Sequence, residues 1–150
     1  MKNVFTEEVI KSTLQRIEKL SDKTQPKWGK MDVAQMLAHC NVTYEMAFEN
    51  THPKPNALVK LILKTFVKNG VVSEKPYKKS IQTAPQFLVK DEKDFEQEKA
   101  RLINFIQKTK ELGEDYFEGK VSHSFGPLTS VEWNNMFYKH LEHHLTQFGV

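Results

Sequence analysis

Cysteine is almost absent from this chain of 150 residues, because Cys40 is its only thiol. An internal disulfide is therefore excluded, and a lone cysteine is typical of proteins that stay in a reducing compartment. No apolar run approaches the roughly 20 residues that a transmembrane helix needs, and no N-terminal stretch has the charged and then apolar pattern of a signal peptide. We therefore expect a cytoplasmic protein without a membrane partner.

An excess of charge of one sign is also missing. The 22 basic side chains nearly balance the 19 acidic ones, and the formal net charge is +3. Such a balance gives no argument for a nucleic-acid partner, and we expect none. Hydrophobic residues make up 39% of the chain and charged residues 27%, which is typical of a globular protein. The length predicts a single domain that covers residues 1–150.

Long stretches of strand-like alternation are missing as well, whereas helical periodicity recurs four times. The predicted long helices cover about residues 6–20, 32–50, 91–112 and the stretch that begins at 129. Thr6, Asp32 and Thr129 are predicted N-caps, and Thr129 forms a capping box with Glu132. A shorter apolar helix is predicted within NALVKLILKTFVKN, residues 56–69. We therefore expect an all-α four-helix bundle with a short additional helix between the second and third long helices.

The last twelve residues, KHLEHHLTQFGV, carry three histidines within five positions. On a helix with 100° per residue, His140 and His144 lie one turn apart on the apolar stripe that contains Trp133 and Phe137. A solvated tail would not continue that stripe. We therefore predict that Trp133 and Phe137 are buried and that both histidines face the core.

Two histidines at positions i and i+4 can present two nitrogens to one metal ion. The alternative is a pair of core histidines bonded to carbonyl groups or water, and the spacing alone does not separate the two interpretations. Because a metal needs more than two protein ligands, His39 in the second helix is the best candidate for a third. It could equally be a partly exposed helix residue. His52 and His123 lie in predicted loops and are weaker candidates.

Other polar residues near the pair have two interpretations each. Glu142 lies roughly 200° around the helix from His140, so it should face solvent and cannot act as the general base of a His-Glu-x-x-His site. His143, on the flank of the stripe, is a surface residue or a group that supports a ligand. Gln147 supports a ligand or caps the helix end. Cys40 is a small core residue or, less simply, a reactive thiolate.

Two motifs resemble one known family. WGKMDVAQMLAHC and FGPLTSVEWNNMFYKHLEHHLTQFG, which begin at residues 28 and 125, are similar to sequences of the DinB-like (DinB/YfiT) superfamily of metal-dependent helical-bundle proteins. The resemblance is closest to a bacterial branch whose C-terminus reads similarly to HLEHHLTQFG. By helix order it extends over the whole chain, but its specific motifs lie within residues 28–41 and 125–149.

The resemblance implies an up-down-down-up bundle, often dimeric, that holds a divalent metal. One histidine of the second helix and a His-x-x-x-His pair of the last helix bind the metal in that family, and they correspond here to His39, His140 and His144. Gln147 matches the glutamine three residues after the last ligand. The common Arg-Gly-Gln tail reads Leu145-Thr146-Gln147 here, so no role of that arginine is carried over. Characterised members include thiol S-transferases that use low-molecular-weight thiols.

Three function classes remain open. The first is a metal-dependent transferase or hydrolase that acts on a small molecule, such as a low-molecular-weight thiol. The second is a non-catalytic protein that binds a metal or a small ligand, and the third is a structural bundle without metal. Zinc or nickel is the favoured ion, with iron and copper as alternatives. A homodimer is compatible with any of these classes.

The middle of the chain is locally basic. Between residues 54 and 79 there are seven lysines and one acidic residue, Glu74. The simplest interpretation is a solvated face of a helix and its loop. It could instead guide an anionic substrate or thiol to the metal, and a membrane-surface role for LVKLILKTFVK is a weaker alternative.

Overall fold

The structure is a computed structural model, and it describes residues 1–79 and 84–150. Its helices are α1 (Glu7–Glu18), α2 (Val33–Phe48), α3 (Ala57–Ile62), α4 (Lys68–Val72), α5 (Phe95–Phe117) and α6 (Ser130–Gln147). A π-helical turn (Leu63–Val67) joins α3 to α4, and a 3-10 turn (Pro85–Phe87) precedes α5. The strands β1 (Val121–Ser122) and β2 (Gly126–Pro127) pair antiparallel. The prediction of a mostly helical chain is confirmed, and the two-residue strands are too short to produce a visible alternation.

The core lies where α2 meets α5 and α6, while α5 also packs against α1. Its aromatic centre includes Tyr44 and Phe137, whose rings stack with their centroids 4.8 Å apart. Trp133 and Phe137 are almost completely buried, as the helical phase of the last helix predicted. The same phase therefore places the histidines one and two turns further along α6.

Capping boxes fix where α2 and α6 begin. The Asp32 side chain accepts from the Gln35 backbone N–H at 2.8 Å, and the Gln35 side chain accepts from the Asp32 N–H at 3.2 Å. Thr129 and Glu132 form the equivalent reciprocal pair. The predicted box at Thr129 and the predicted N-cap at Asp32 are confirmed, and the box between Asp32 and Gln35 was not predicted. The two boxes set the register of the two helices that carry the candidate ligands.

Two other helix starts differ in detail from the prediction. Thr6 is the N-cap residue of α1, but its hydroxyl donates to the Asn3 carbonyl and does not cap the helix. The third long helix, α5, begins at Phe95 and not near Asp91, because the Asp94 side chain caps it by accepting from the Gln97 N–H at 2.7 Å.

The end of α5 also differs from the prediction. It does not stop at Leu112 but continues to Phe117 across a kink at Gly113, whose φ of 73° lies in the left-handed region. Glycine adopts this conformation without steric cost. The kink lets the ring of Phe117 reach the core beside Trp133, at a centroid distance of 5.5 Å.

The predicted short helix is present as α3, the π-helical turn and α4. It begins at Asn56, whose side chain accepts from the Val59 N–H at 2.9 Å. In the part of the chain that the structure describes, no helix combines the length and the apolar character that crossing a membrane requires.

Candidate metal centre

His39 occupies the middle of α2 and is 4% exposed. Its Nδ1 lies 2.9 Å from the carbonyl oxygen of Phe87. A carbonyl oxygen can only accept, so Nδ1 carries the proton and Nε2 has a free lone pair. The loop that precedes α5 therefore selects the tautomer in which Nε2 can bind a metal ion.

His140 and His144 bring their rings to the same point from α6. The His140 Nε2 lies 2.9 Å from the His39 Nε2, and the His144 ring centroid is 4.5 Å from that of His39. One ligand-capable nitrogen from each histidine lies within 4.8 Å of the other two. Nitrogens that bind one zinc ion at about 2.0–2.1 Å lie about 3–4 Å apart. Three imidazole nitrogens are a donor set that suits a divalent ion, and the three side chains would have to adjust to reach these distances.

Gln147 fixes His144 in the same way as Phe87 fixes His39. Its Nε2 donates to the carbonyl oxygen of Trp28 at 2.7 Å, which orients the side-chain oxygen towards His144. That oxygen accepts from the His144 Nδ1 at 2.8 Å. The lone pair of the His144 Nε2 is therefore free. Gln147 therefore contacts His144 directly, as its interpretation as a supporting residue requires.

Gly29 makes this arrangement possible. Its φ is +89°, and a Cβ atom placed there would lie 2.5 Å from the Gln147 Nε2. Any other residue would therefore be strained and would displace the Gln147 side chain. No local pattern singles out this glycine, because its neighbour in space is 118 positions away.

Thr43 supports the third histidine, His140. Its Oγ1 lies 3.1 Å from the His140 Nδ1, and either atom can be the donor. Thr43 follows His39 by one helical turn on α2, so the two residues face the same side. That spacing is a signal from which Thr43 could have been found once His39 was chosen.

All three imidazoles favour the neutral form that a metal ligand needs. Burial lowers the pKa of His144 to about 3, with a further contribution from His39. Burial also lowers the pKa of His39, although its bond to the Phe87 carbonyl partly opposes the shift. His140 is only half-buried by surface area, but its ring is surrounded by those of His39, His144 and Phe87. Desolvation and the neighbouring imidazoles hold its pKa well below the usual value.

Comparison with known proteins gives a family. The profile of a family described as "Protein of unknown function (DUF1569)" matches residues 5–149. The chain belongs to the DUF1569 family. No curated protein and no solved structure matches it.

The centre of this DUF1569 protein has an aromatic rim. Tyr77 lies edge-on to His140 and His143, with centroid distances of 6.5 and 5.8 Å, and Trp28 lies 5.8 Å from His143. The Lys79 Nζ is 4.4 Å from the centre of the Trp28 ring and brings a positive charge to the rim. His143 is therefore half-buried and packs beside the cluster, with its ring centroid 5.0 Å from that of His144.

The weaker candidates lie elsewhere. His52 is 2.6 Å from the Glu45 carboxylate, and the His123 Nε2 is 3.4 Å from the His52 carbonyl oxygen. Cys40 is buried and its sulfur lies 3.8 Å from that of Met36, which describes a core residue. Burial raises the pKa of the Cys40 thiol, so the thiolate is disfavoured.

The expectation that Glu142 faces solvent needs a correction. It points away from the histidines as its helical phase required, but its side chain is only 39% exposed because α1 supplies Arg16 at 2.5 Å. Burial alone would raise its pKa, but bonds from Arg16, Thr146 and Tyr138 outweigh it, and the pKa of the carboxyl is lowered. Glu142 therefore joins α6 to α1.

Proposed function

We propose that His39, His140 and His144 together bind one divalent metal ion. The observation that carries the proposal is the orientation of the rings. The Phe87 carbonyl and the Gln147 side chain occupy the Nδ1 atoms of His39 and His144. The His39 Nε2 faces the His140 Nε2 at 2.9 Å, and one nitrogen from each of the three histidines lies within 4.8 Å of the other two. Bonds of this kind to Nδ1 orient and strengthen metal-bound histidines.

A cluster of core histidines without metal explains the same contacts less well. The Nε2 atoms of His39 and His144 are both acceptors when their Nδ1 atoms donate. Neutral His140 has a single N–H, so it can satisfy at most one of them. The other lone pair then has no protein partner among the described residues. A cation at the centre satisfies all three nitrogens.

We also propose that the chain is a DinB-like, up-down-down-up four-helix bundle. Four features support this proposal: the packing of α2 against α5 and α6, the packing of α1 against α5, the capping boxes of α2 and α6, and the resemblance of the motifs around the histidines. The lone buried thiol of Cys40 further supports a cytoplasmic location.

The reaction that suits such a centre is transfer or hydrolysis of a small molecule, with a low-molecular-weight thiol as the nucleophile that the resemblance favours. A zinc or nickel ion would act as a Lewis acid and lower the pKa of a thiol or water at its open position. The chain itself holds the three neutral imidazoles in place. Tyr77 and Trp28 lie beside His140 and His143, and the charge of Lys79 would attract an anionic thiol or substrate to this rim.

Elemental analysis of untagged protein tests the metal site. We expect about one zinc or nickel ion per chain, and loss of most of it in His144→Ala. His143→Ala is the matched control, because it removes the adjacent imidazole from the same helix without removing one of the three converging nitrogens. Stoichiometric metal in His144→Ala would overturn the proposal.

Thiol-transfer assays on the metal-loaded protein then separate an enzyme from a binding protein. We expect consumption of a low-molecular-weight thiol in the presence of an electrophile, and loss of that activity in His144→Ala. Full metal occupancy without turnover of thiols or hydrolysable esters would favour the second function class, a non-catalytic protein that binds a metal or small ligand.

A further inference from the structure

The segment 58–68, which we call the basic apolar segment, exposes a cluster of large hydrophobic side chains. Phe66 is 79% exposed, Leu58 68% and Leu61 61%, and Val59, Ile62 and Val67 are also exposed. These six are half of the large exposed hydrophobic residues in the described part of the chain. Single exposed hydrophobic residues are ordinary, but a cluster of this kind marks an interaction surface.

The basic apolar segment is anchored through Leu63, which packs against the core, and through the end that leads into α4. The α4 helix that follows it packs on α6, where the Lys139 Nζ bonds to the Gly70 and Ser73 carbonyls at 2.9 and 2.6 Å. Lys68 reaches Glu132 at 2.7 Å. Among the described residues, α3 packs extensively only on the π-helical turn that follows it. Apart from Leu63, the six exposed apolar side chains of the segment therefore do not cover the core.

The basic apolar segment carries only positive charge. No acidic residue occurs between Glu49 and Glu74. Lys60 and Lys64 have no ion-pair partner among the described residues, unlike Lys68. Lysine stems are long enough to keep the ammonium group in a polar layer while neighbouring apolar side chains enter a non-polar one.

We propose that the basic apolar segment binds the surface of an anionic lipid membrane. Exposed apolar side chains would enter the boundary between headgroups and acyl chains, and Lys60 and Lys64 would contact anionic headgroups. A second copy of the chain fits less well, because a self-complementary contact would bring lysines against lysines. A protein partner would need a groove shaped to a projecting helix, whereas a lipid interface needs no matching shape. The segment is joined to α6 by the ion pair of Lys68 with Glu132, eight residues before His140, and none of the three histidines belongs to it, so this proposal is independent of the metal site.

Vesicle co-sedimentation of the full chain tests this assignment. We expect binding to phosphatidylcholine vesicles that contain about a third phosphatidylserine, and little binding to phosphatidylcholine alone. Raising the salt concentration should weaken the interaction, since its electrostatic part is screened. Phe66→Gln should weaken binding about tenfold or more through lost apolar burial. Lys64→Gln should weaken it roughly fivefold through lost charge.

Matched controls make the result specific. Val131→Gln replaces an exposed apolar residue outside the segment, on the first turn of α6, where Val131 is 56% exposed. Lys23→Gln removes an exposed lysine from a loop. Both should bind anionic vesicles like the unmodified protein. Their circular dichroism and that of Phe66→Gln should be unchanged, because all these side chains are exposed.

Four results would overturn the proposal. The first is no binding to anionic vesicles, and the second is equal binding by Phe66→Gln and the unmodified chain. The third is a dimer in light scattering that Phe66→Gln converts to a monomer, without vesicle binding by either form, since the surface would then join two copies. A preference for poly-glutamate over anionic vesicles would likewise replace the lipid by an acidic protein partner.

Discussion

The Nε2 atoms of His39 and His140 lie 2.9 Å apart although 101 positions separate the residues in the chain. Because the Phe87 carbonyl holds the proton of His39 on Nδ1, the Nε2 that faces His140 carries a lone pair and cannot donate. Two imidazoles in this arrangement either share the one proton of His140 or share a cation. The predictions on His39 and Gly29 below distinguish these cases.

His39→Ala should abolish most metal binding, because it removes the ligand that α2 supplies and leaves only the pair from α6. Cobalt(II) titration followed by visible absorption measures this directly. Glu142→Ala is the control, since it breaks the contact with Arg16 on the far side of α6. It should lower stability by about 1 kcal/mol or less and leave the cobalt spectrum unchanged. An unaltered titration of His39→Ala would remove α2 from the site.

Gly29→Ala should weaken metal binding by about tenfold or more, because its Cβ atom would displace Gln147 and free the His144 ring to rotate. Gly119→Ala is the matched control. It has a comparable φ of +71°, but nothing lies within 4 Å of its added Cβ atom. Both variants should therefore lose similar stability in urea unfolding through backbone strain, while only Gly29→Ala loses affinity. Equal affinities for the two would show that Gln147 does not position the ligand.

Helical periodicity predicted much of the site on α6. His140 and His144 follow Trp133 and Phe137 on one face, and that phase is a local property of the sequence. His39 could not be placed with the same certainty, because α2 packs against both α5 and α6 and is buried on most of its circumference. A helix buried on all sides has no apolar stripe from which an inward direction can be read.

The groups that contact the candidate ligands were harder to predict. The Phe87 carbonyl belongs to a loop without periodicity, and Gly29 matters only because Gln147 passes close to it in space. Glu142 was expected in solvent for a similar reason. Its helical phase is correct, but the approach of Arg16 from α1 depends on long-range packing. Local sequence patterns predict the direction of a side chain, but they do not predict which residues from distant segments contact it.

Lys139→Met should destabilise the protein by about 1–3 kcal/mol. Lys139 is 3% exposed, and its ammonium group satisfies the Gly70 and Ser73 carbonyls at the end of α4. Methionine keeps the apolar stem but leaves those carbonyls without this donor. Urea unfolding measures the loss, and exposed Lys23→Met should cost much less. If both variants unfold at the same urea concentration, Lys139 does not hold α4 on α6.

Acidification should destabilise the metal-free protein through the histidine cluster. In the unfolded chain a histidine takes up a proton below pH 6.5, whereas burial holds the pKa of folded His144 at about 3. Between these values the unfolded state binds more protons, so stability falls as the pH falls, by up to about 1.4 kcal/mol per unit for each such histidine. Denaturant unfolding in chelator at pH 7 and pH 5 measures the change. His144→Leu removes one of the titrating groups and should show a smaller loss between the two pH values than the unmodified chain. An identical loss in both proteins would show that His144 is not held neutral by the fold.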